Sequence, residues 1–337
     1  VTVLITGGSG FVGINIIEKI LDAGMDVVNY SLTPVPTEAE ILFHRKAGQY
    51  FYIEGDILNG DTLIQTLNQY NIKSLIHAAA ITPDIEHEMK SFSKISSINY
   101  NGTLSVLEAA KKVGIEKFFY ISSCTVYGET GYIDPLLDEK KSIPLPVNLY
   151  EITKYAGERL ALRYKTLYDL PLTVCRLGYV FGAWEHYTGL RQTLSVPFQV
   201  TKAAYEKTTI HLPRPGVRDW TYSKDVAAAI YHLIQVKELK EDIYNIGSGQ
   251  VWSIVDWCEL LKRKFPDFHY QLQEDSKLWN VDYFGERDIQ QLAIDRLKAE
   301  GYTPQYSLNE AFENYMEWLD QTSLFWSIPA DQQIVSK

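Results

Sequence analysis

A tyrosine and a lysine four residues apart, in Tyr150-Glu-Ile-Thr-Lys154, put a phenol and an ammonium on one face of any helix that carries them. A phenol with an ordinary pKa of about 10 is a poor proton carrier at neutral pH, but a nearby cation favours the phenolate, and three pKa units correspond to roughly 4 kcal/mol. A phenol tuned in this way serves as general acid or base, a role worth about 10²–10⁴ in rate. Ser122-Ser123 closes a strand just ahead of that helix, which sets a hydroxyl where a substrate oxygen can meet Tyr150. Asn99 lies inside a helical pattern, where asparagine is mildly unfavourable, and points to a polar partner. The same Tyr/Lys spacing also occurs on solvated helix faces, so the pair has to be judged by the elements that position it.

Those elements begin at the amino terminus. Val1 to Ile5 form an apolar, largely β-branched run of the kind buried on both faces of a sheet. Gly7, Gly10 and Gly13 follow at once, and Phe11, Val12, Ile14, Ile16, Ile17, Ile20 and Leu21 then recur at helical spacing. A strand, a glycine turn and a helix present backbone N–H groups and the helix dipole to an anion. Gly7 permits the turn, Gly10 lets the backbone approach a pyrophosphate, and Gly13 lets the helix lie on the strand, so a dinucleotide site is expected.

Further strands are predicted at Asp26–Ser31, Tyr50–Glu54, 74–80, Lys117–Ser123 and 172–176, with helical stretches ending near Tyr70, over 88–113 around Asn99, and through Tyr150 and Lys154. This alternation predicts an α/β fold, a Rossmann doubly wound parallel sheet, with ligands beyond the carboxyl ends of its strands. Past Arg176 the alternation fades; a helix over 219–235 and a short strand over 243–247 return to it. The expected division is a dinucleotide-binding domain of 1–176 plus about 217–247, a smaller, mostly helical carboxy-terminal substrate lobe of 178–216 and 248–325, and a tail of 326–337. The Trp and Tyr residues between 252 and 319 read as exposed.

At 337 residues, 46% hydrophobic, the chain can bury two cores. A net charge of −10 argues against nucleic acid or an anionic membrane as partner. Cys124, Cys175 and Cys258 have neither metal-ligand nor disulfide-framework spacing, so no metal is expected and a cytoplasmic location is the default. No apolar run reaches membrane-spanning length, and the first strand starts at residue 1, which leaves no room for a signal peptide.

Taken together, these motifs resemble those of the extended short-chain dehydrogenase/reductase family, the group of sugar-nucleotide epimerases, dehydratases and related reductases. The resemblance runs from Thr6-Gly-Gly-Ser-Gly-Phe-Val-Gly13 through Gly55-Asp56-Ile57, His77-Ala-Ala-Ala80, Asn99-Tyr-Asn-Gly-Thr103, Ser122-Ser-Cys-Thr-Val-Tyr-Gly128, Tyr150/Lys154 and Arg218-Asp-Trp220 to Leu297-Lys-Ala-Glu-Gly-Tyr-Thr-Pro304. It implies Tyr150 as acid/base, Lys154 binding the nicotinamide ribose and lowering the Tyr150 pKa, Ser123 bonded to the reacting oxygen, and Asn99 at the proton-relay position. It also implies a cofactor site of Gly7, Gly10, Phe11, Val12, Gly13, Ser31, Asp56, Ile57, Ala78, Ala79, Ala80 and Ser122 with Asn99, Tyr150 and Lys154. For the substrate it points to Ser123, Tyr150 and Arg218; Thr82, Thr125, Tyr179 and Trp184 are further candidates from their own places in the chain. The implied chemistry is hydride transfer between a nicotinamide and a carbinol carbon.

Departures from the family pattern narrow the substrate. An Asp-Glu pair follows the catalytic hydroxyl in the family's dehydratases; Cys124 and Thr125 stand there instead, which argues against elimination of water. Nucleotide-sugar binders usually carry an Asn after the sixth strand, where this chain has Tyr179-Val-Phe-Gly-Ala183, and an Arg ten residues before an Asp, where counting back from Asp295 gives Gly285. Arg218 matches a diphosphate-contacting position, and Arg287 lies near the missing one. NAD-preferring sites end the second strand with a carboxylate. Ser31 stands there, followed by Thr33, so NADP is the expected cofactor, with NAD possible and Arg45 or Lys46 folding back toward it.

Other candidates have plainer readings. Cys124 reads as small packing and His77 as a satisfied core histidine. Trp184, Glu185, His186, Tyr187 and Arg191 form a polar-aromatic cluster that is either pocket lining or ordinary loop. Thr82 and Asp84 flank a Pro83 turn, and the stripe from Leu149 to Tyr168 is core or the seam of a homodimer. The expected function is an oxidoreductase acting on a secondary alcohol or carbonyl of a sugar-like or small polyol substrate. A nucleotide-sugar epimerase that retains NAD is the alternative, and a redox-sensing binding protein a third reading, against which the intact Tyr150/Lys154/Ser123 set argues.

Overall fold

The computed structural model describes residues 2–187, 191 and 194–322; the expected tail at 326–337 lies outside them. Seven strands form one parallel sheet: β1 (Thr2–Thr6), β2 (Asp26–Ser31), β3 (Tyr50–Glu54), β4 (Ser74–His77), β5 (Lys117–Ser123), β6 (Leu172–Leu177) and β7 (Ile243–Ile246). Their order is β7-β6-β5-β4-β1-β2-β3, so the winding reverses between β1 and β4, the place where such sheets open a crevice for a ligand. Thr6 faces Tyr30 on one side and His77 on the other, which brings the carboxyl ends of β1, β2 and β4 level. Val3, Leu4 and Ile5 are fully buried because helices cover both faces. Helix α1 (Phe11–Asp22) and the helix Ser223–Gln235 pack on one face; Gly60–Gln69, Gly102–Val113 and Leu149–Tyr168 pack on the other.

A third core lies beyond the sheet, where Phe181, Val196, Phe198, Trp252, Trp257, Phe312 and Tyr315 pack together. Here the expectation of exposed aromatics holds for Trp279 and fails for this cluster: Trp257 and Tyr315 are fully buried and Trp252 nearly so. An indole tolerates burial when its N–H finds an acceptor, as Trp257 Nε1 does at Thr201 Oγ1 (2.9 Å) and Trp220 Nε1 at the Gly216 carbonyl (3.2 Å). Ile294, Leu297 and Tyr302 pack instead into the sheet-side core.

Two elements differ from their predicted form. The helix expected over 88–113 is two helices, Ile85–Ser96 and Gly102–Val113, joined by a π-helical turn at Ser97–Asn101. The helix expected from 219 begins only at Ser223, because Trp220–Tyr222 pairs in parallel with Tyr179–Phe181 as a small two-stranded sheet.

Candidate active site

Beyond the carboxyl ends of the strands lies a cleft of about 1040 Å³. The glycine turn forms its floor. Gly7 has φ +70°, its N–H donates to the Tyr30 carbonyl at 3.0 Å, and a Cβ there would stand 2.5 Å from Ala79 Cα. A Cβ on Gly13 would stand 2.6 Å from Gly8 Cα, so α1 sits directly on the turn. No side chain caps α1 and no acid occupies its first turn, which leaves its N-terminal N–H groups to an anion. Gly7, Gly10, Phe11, Val12, Gly13, Ser31, Asp56, Ile57, Ala78, Ala79, Ala80 and Ser122 all line this cleft, with Ser123, Tyr150 and Lys154. The set fits a dinucleotide: a backbone cradle for a pyrophosphate, a groove toward Asp56 and Ile57, and polar groups at the far end.

The Tyr150 helix (Leu149–Tyr168) starts in a capping box, with Asn148 Oδ1 accepting from Glu151 N at 3.0 Å and Glu151 Oε2 accepting from Asn148 N at 3.4 Å. Tyr150 therefore stands in its first turn, in the cleft with Thr82 and Ser123, both near enough to lower the pKa of the phenol. Thr125 N (3.2 Å) and Thr125 Oγ1 (3.0 Å) both donate to Ser123 Oγ, so Ser123 has its own proton left to give.

Electrostatics here depart from expectation. Burial raises the Tyr150 phenol above its usual value, and Thr82, Arg191 and Ser123 oppose the rise ahead of Lys154. Lys154 is buried, donates Nζ to the Ile121 carbonyl, and lies 4.4 Å from the centre of the Tyr120 ring. Burial draws its ammonium down to about 7, against the pull of Glu158.

Asn99 is also placed differently. Its Oδ1 accepts from Ile81 N (2.8 Å), while Nδ2 donates to the Ile81 carbonyl (3.0 Å) and Thr153 Oγ1 (3.2 Å). It ties the segment after β4 to the Tyr150 helix and does not line the cleft. Ser122 donates to Glu158 Oε1 at 2.6 Å and Ser31 to Asn29 Oδ1 at 2.7 Å. Neither Arg45 nor Lys46 folds back: Lys46 pairs with Glu18 (3.2 Å) and Asp22 (2.9 Å) on α1, and Arg45 is exposed and outside the cleft.

On the substrate side Thr82, Thr125, Tyr179 and Arg218 line the cleft. Arg218 donates Nε to Asp288 Oδ1 and Nη2 to the Tyr283 carbonyl, both at 3.0 Å, with its guanidinium 4.5 Å from the Tyr179 ring centre. Trp184 is a correction. It is buried against α1, donates Nε1 to Glu18 Oε2 at 2.8 Å, packs edge-on to Trp318 with centroids 5.3 Å apart, and is outside the cleft. His186 and Arg191 from the same cluster do line it, and Arg191 bridges to Thr82 and pairs with the buried Glu185 at 2.9 Å. Arg287 turns outward to Glu129 (2.8 Å). Tyr132 and Asp282 also line the cleft; Tyr132 closes a single 3-10 turn, Glu129–Tyr132, and Asp282 lies in irregular chain, neither of which leaves a spacing signal in the sequence.

His77 lies in the core between Thr6 Oγ1 (2.7 Å) and Thr103 Oγ1 (3.0 Å), its pKa drawn down to about 3 by burial and the Lys154 charge. Cys124 is buried and its thiol pushed up to about 12, mainly by desolvation. Among the described residues no group of His, Cys, Asp and Glu could hold a metal ion, and no helix is long and apolar enough to cross a membrane.

The sequence pattern of the NAD dependent epimerase/dehydratase family matches residues 3–247. A dTDP-D-glucose 4,6-dehydratase from Mus musculus is 25% identical over 341 residues, covering 96% of this chain and 90% of its own. The low-salt glycan biosynthesis protein Agl12 of Haloferax volcanii is 27% identical over 319 residues, covering 94% and 97%. Among solved structures, the UDP-glucuronic acid 4-epimerase from Bacillus cereus, in complex with UDP-glucuronic acid and NAD, superposes with a TM-score of 0.78 at 25% identity, covering 95% of this chain and 99% of that one.

Proposed function

The chain belongs to the NAD-dependent epimerase/dehydratase family of extended short-chain dehydrogenases/reductases and is a nicotinamide-dependent enzyme of oxidoreductase type; from that premise we propose that it transfers hydride to or from a secondary carbinol carbon of a sugar-like substrate, with Tyr150 moving the proton. The observation that carries this reading is that Tyr150 lines the cleft together with Ser123, Thr82 and Lys154, beyond the glycine turn. A nicotinamide cofactor bound along the glycine turn accepts or supplies the hydride. Ser123 holds the reacting oxygen with the proton it has free, and Thr82 and Arg191 favour the phenolate when the carbinol is oxidised. Lys154 holds the ribose side of the cofactor. Residues 1–176 and 217–247 serve as the cofactor domain and the rest of the described chain brings the substrate.

A second reading is a nucleotide-sugar epimerase that oxidises its substrate and reduces it again on the retained cofactor. Two observations favour it: the cleft extends past Tyr150 to Arg218 and Trp220, and the B. cereus relative binds such a substrate. Elimination of water has less support, since Cys124 is buried and Thr125 is a hydroxyl. For the cofactor we favour NADP. No carboxylate ends β2 and Ser31 is neutral, while the use of NAD by relatives keeps NAD as the alternative. Three free, buried cysteines support a cytoplasmic setting. The apolar residues Met89, Phe92 and Ile152 stand exposed on the helices Ile85–Ser96 and Leu149–Tyr168 and support a homodimer through that face; light scattering that gives a monomer at micromolar concentration would exclude it.

Tyr150→Phe tests the central claim. Turnover should fall at least a hundredfold, with cofactor affinity kept within about threefold; full activity would remove Tyr150 from the mechanism. Absorbance at the reduced-nicotinamide band, followed with free and nucleotide-linked sugars, separates the two readings. Stoichiometric change favours net oxidoreduction, and conversion without net change favours epimerisation.

A further inference from the structure

The Tyr150 helix buries a carboxylate that the chemistry above leaves unused. Glu158 is fully buried one helical turn beyond Lys154, so the two side chains share a face. Ser122 donates to its Oε1 at 2.6 Å. Arg176 of β6 forks onto both oxygens, with Nε at 3.0 and 3.3 Å and Nη2 at 2.7 Å, and its guanidinium lies 4.8 Å from the Tyr127 ring centre. These partners adjoin the reacting groups: Ser122 precedes Ser123, and Lys154 is anchored on the Ile121 carbonyl of the same strand. Stability is a poor reason to keep such a pair, since apolar groups of similar volume often serve as well or better.

We propose that Glu158 is a positioning residue for the proton-transfer site, holding the Lys154 ammonium in its charged form one turn away, with Arg176 setting how much of that carboxylate's field reaches it. The inference rests on the reading of Tyr150 and Lys154 given above. Around the pair, β5 supplies the Tyr120 ring and the Ser122 hydroxyl, β4 the neutral His77, β6 the Arg176 cation, and the helix itself Tyr150. Glu158 is the one carboxylate that acts on Lys154 among the described residues. Burial draws the ammonium down to about 7 even with Glu158 in place, so without Glu158 the charge is lost at still lower pH.

The two partners of the ion pair therefore act on Lys154 with opposite sign, and the test uses that. The pH dependence of kcat and of NAD(P)H affinity, the latter by nicotinamide fluorescence, is measured for the intact enzyme, Glu158→Gln, Arg176→Met and the double variant. In Glu158→Gln the high-pH limb should move down by about one unit, so that kcat at pH 8 falls roughly tenfold and recovers near pH 6. In Arg176→Met the limb should move up. The double variant leaves no unpaired charge buried; it should fold and keep the downward shift, and it carries the test if Glu158→Gln does not fold. Coincident limbs in the folded variants, or equal losses at every pH, would overturn the proposal and leave the pair a packing element. Tyr150→Phe, run alongside, separates the two levels. An active Tyr150→Phe sinks the underlying reading, whereas an inactive one beside an unmoved Glu158→Gln limb sinks only the role of Glu158.

Discussion

The cleft has two walls of different make. The wall that belongs to the sheet is mostly backbone: Gly7 lies against Ala79, Gly13 against Gly8, and the first turn of α1 offers N–H groups with no side chain across them. The facing wall is built of long side chains braced by one another, with Arg218 between Asp288, the Tyr283 carbonyl and the Tyr179 ring, and Arg191 between Glu185 and the Phe11 ring. Backbone contacts at van der Waals distance do not yield by degrees, because an added methyl group has nowhere to go. Braced side chains lose one contact at a time. The first wall therefore suits a cofactor that never varies, and the second a substrate preference that can be tuned.

The contrast is broken most sharply at Gly7. Gly7→Ala puts a Cβ 2.5 Å from Ala79 Cα at a backbone angle of +70°. The strain is about 1–3 kcal/mol before any contact is counted, and cofactor affinity should fall by roughly a hundredfold or more. Near-normal titration of the variant with NAD(P)H would show that the turn gives way and that the two walls do not differ as described. Arg218→Met probes the facing wall. Arg214 also holds Asp288, at 3.0 Å, so the carboxylate keeps a partner and the fold should survive. Losing charge-assisted bonds to substrate should raise KM roughly 10- to 100-fold with kcat much less affected. An unchanged KM would mean the substrate does not reach Arg218. The smallest effect is expected at Ser31, at the carboxyl end of β2. Ser31→Asp should turn preference toward NAD by about tenfold, since a carboxylate grips a ribose hydroxyl and repels a 2′-phosphate; an unaltered ratio would refute the assignment of NADP.

The same contrast explains what could be read from the amino-acid order. Strands β2, β3 and β5 lie at their predicted bounds, because apolar and β-branched runs between turns leave a parallel sheet little choice. The glycine turn was equally legible, since spacing alone defines a backbone cradle. Placement of individual side chains was not. Trp184 reads as lining in a polar-aromatic loop, yet one acceptor, Glu18 Oε2 on α1, turns it into the core. Lys154 reads from its spacing as the partner of Tyr150, yet its ammonium is held by the Ile121 carbonyl and the Tyr120 ring. Gly157 contributes to that placement, because a Cβ there would collide with the Tyr120 hydroxyl, and nothing in the spacing of residues announces such a notch. Distances along the chain carry part of the difference: Gly7 to Gly13 lie in one turn, while the braces on Arg218 reach Tyr283 and Asp288, 65 and 70 residues on.

The wide turn at Ser97–Asn101 has one more consequence. A π-turn amounts to one residue inserted into an otherwise regular spiral. Excising a single residue there would let the helical hydrogen bonds run on from the kink at Ser91 into Gly102–Val113. It would also rotate everything downstream by roughly 100°, the angle each residue subtends. Val106, Leu107 and Ala110, now packed under the sheet, would swing toward water, and Asn99 would let go of Ile81. The irregularity is thus a phase adjuster: it reconciles one helix end that must face the cleft with another that must face the core.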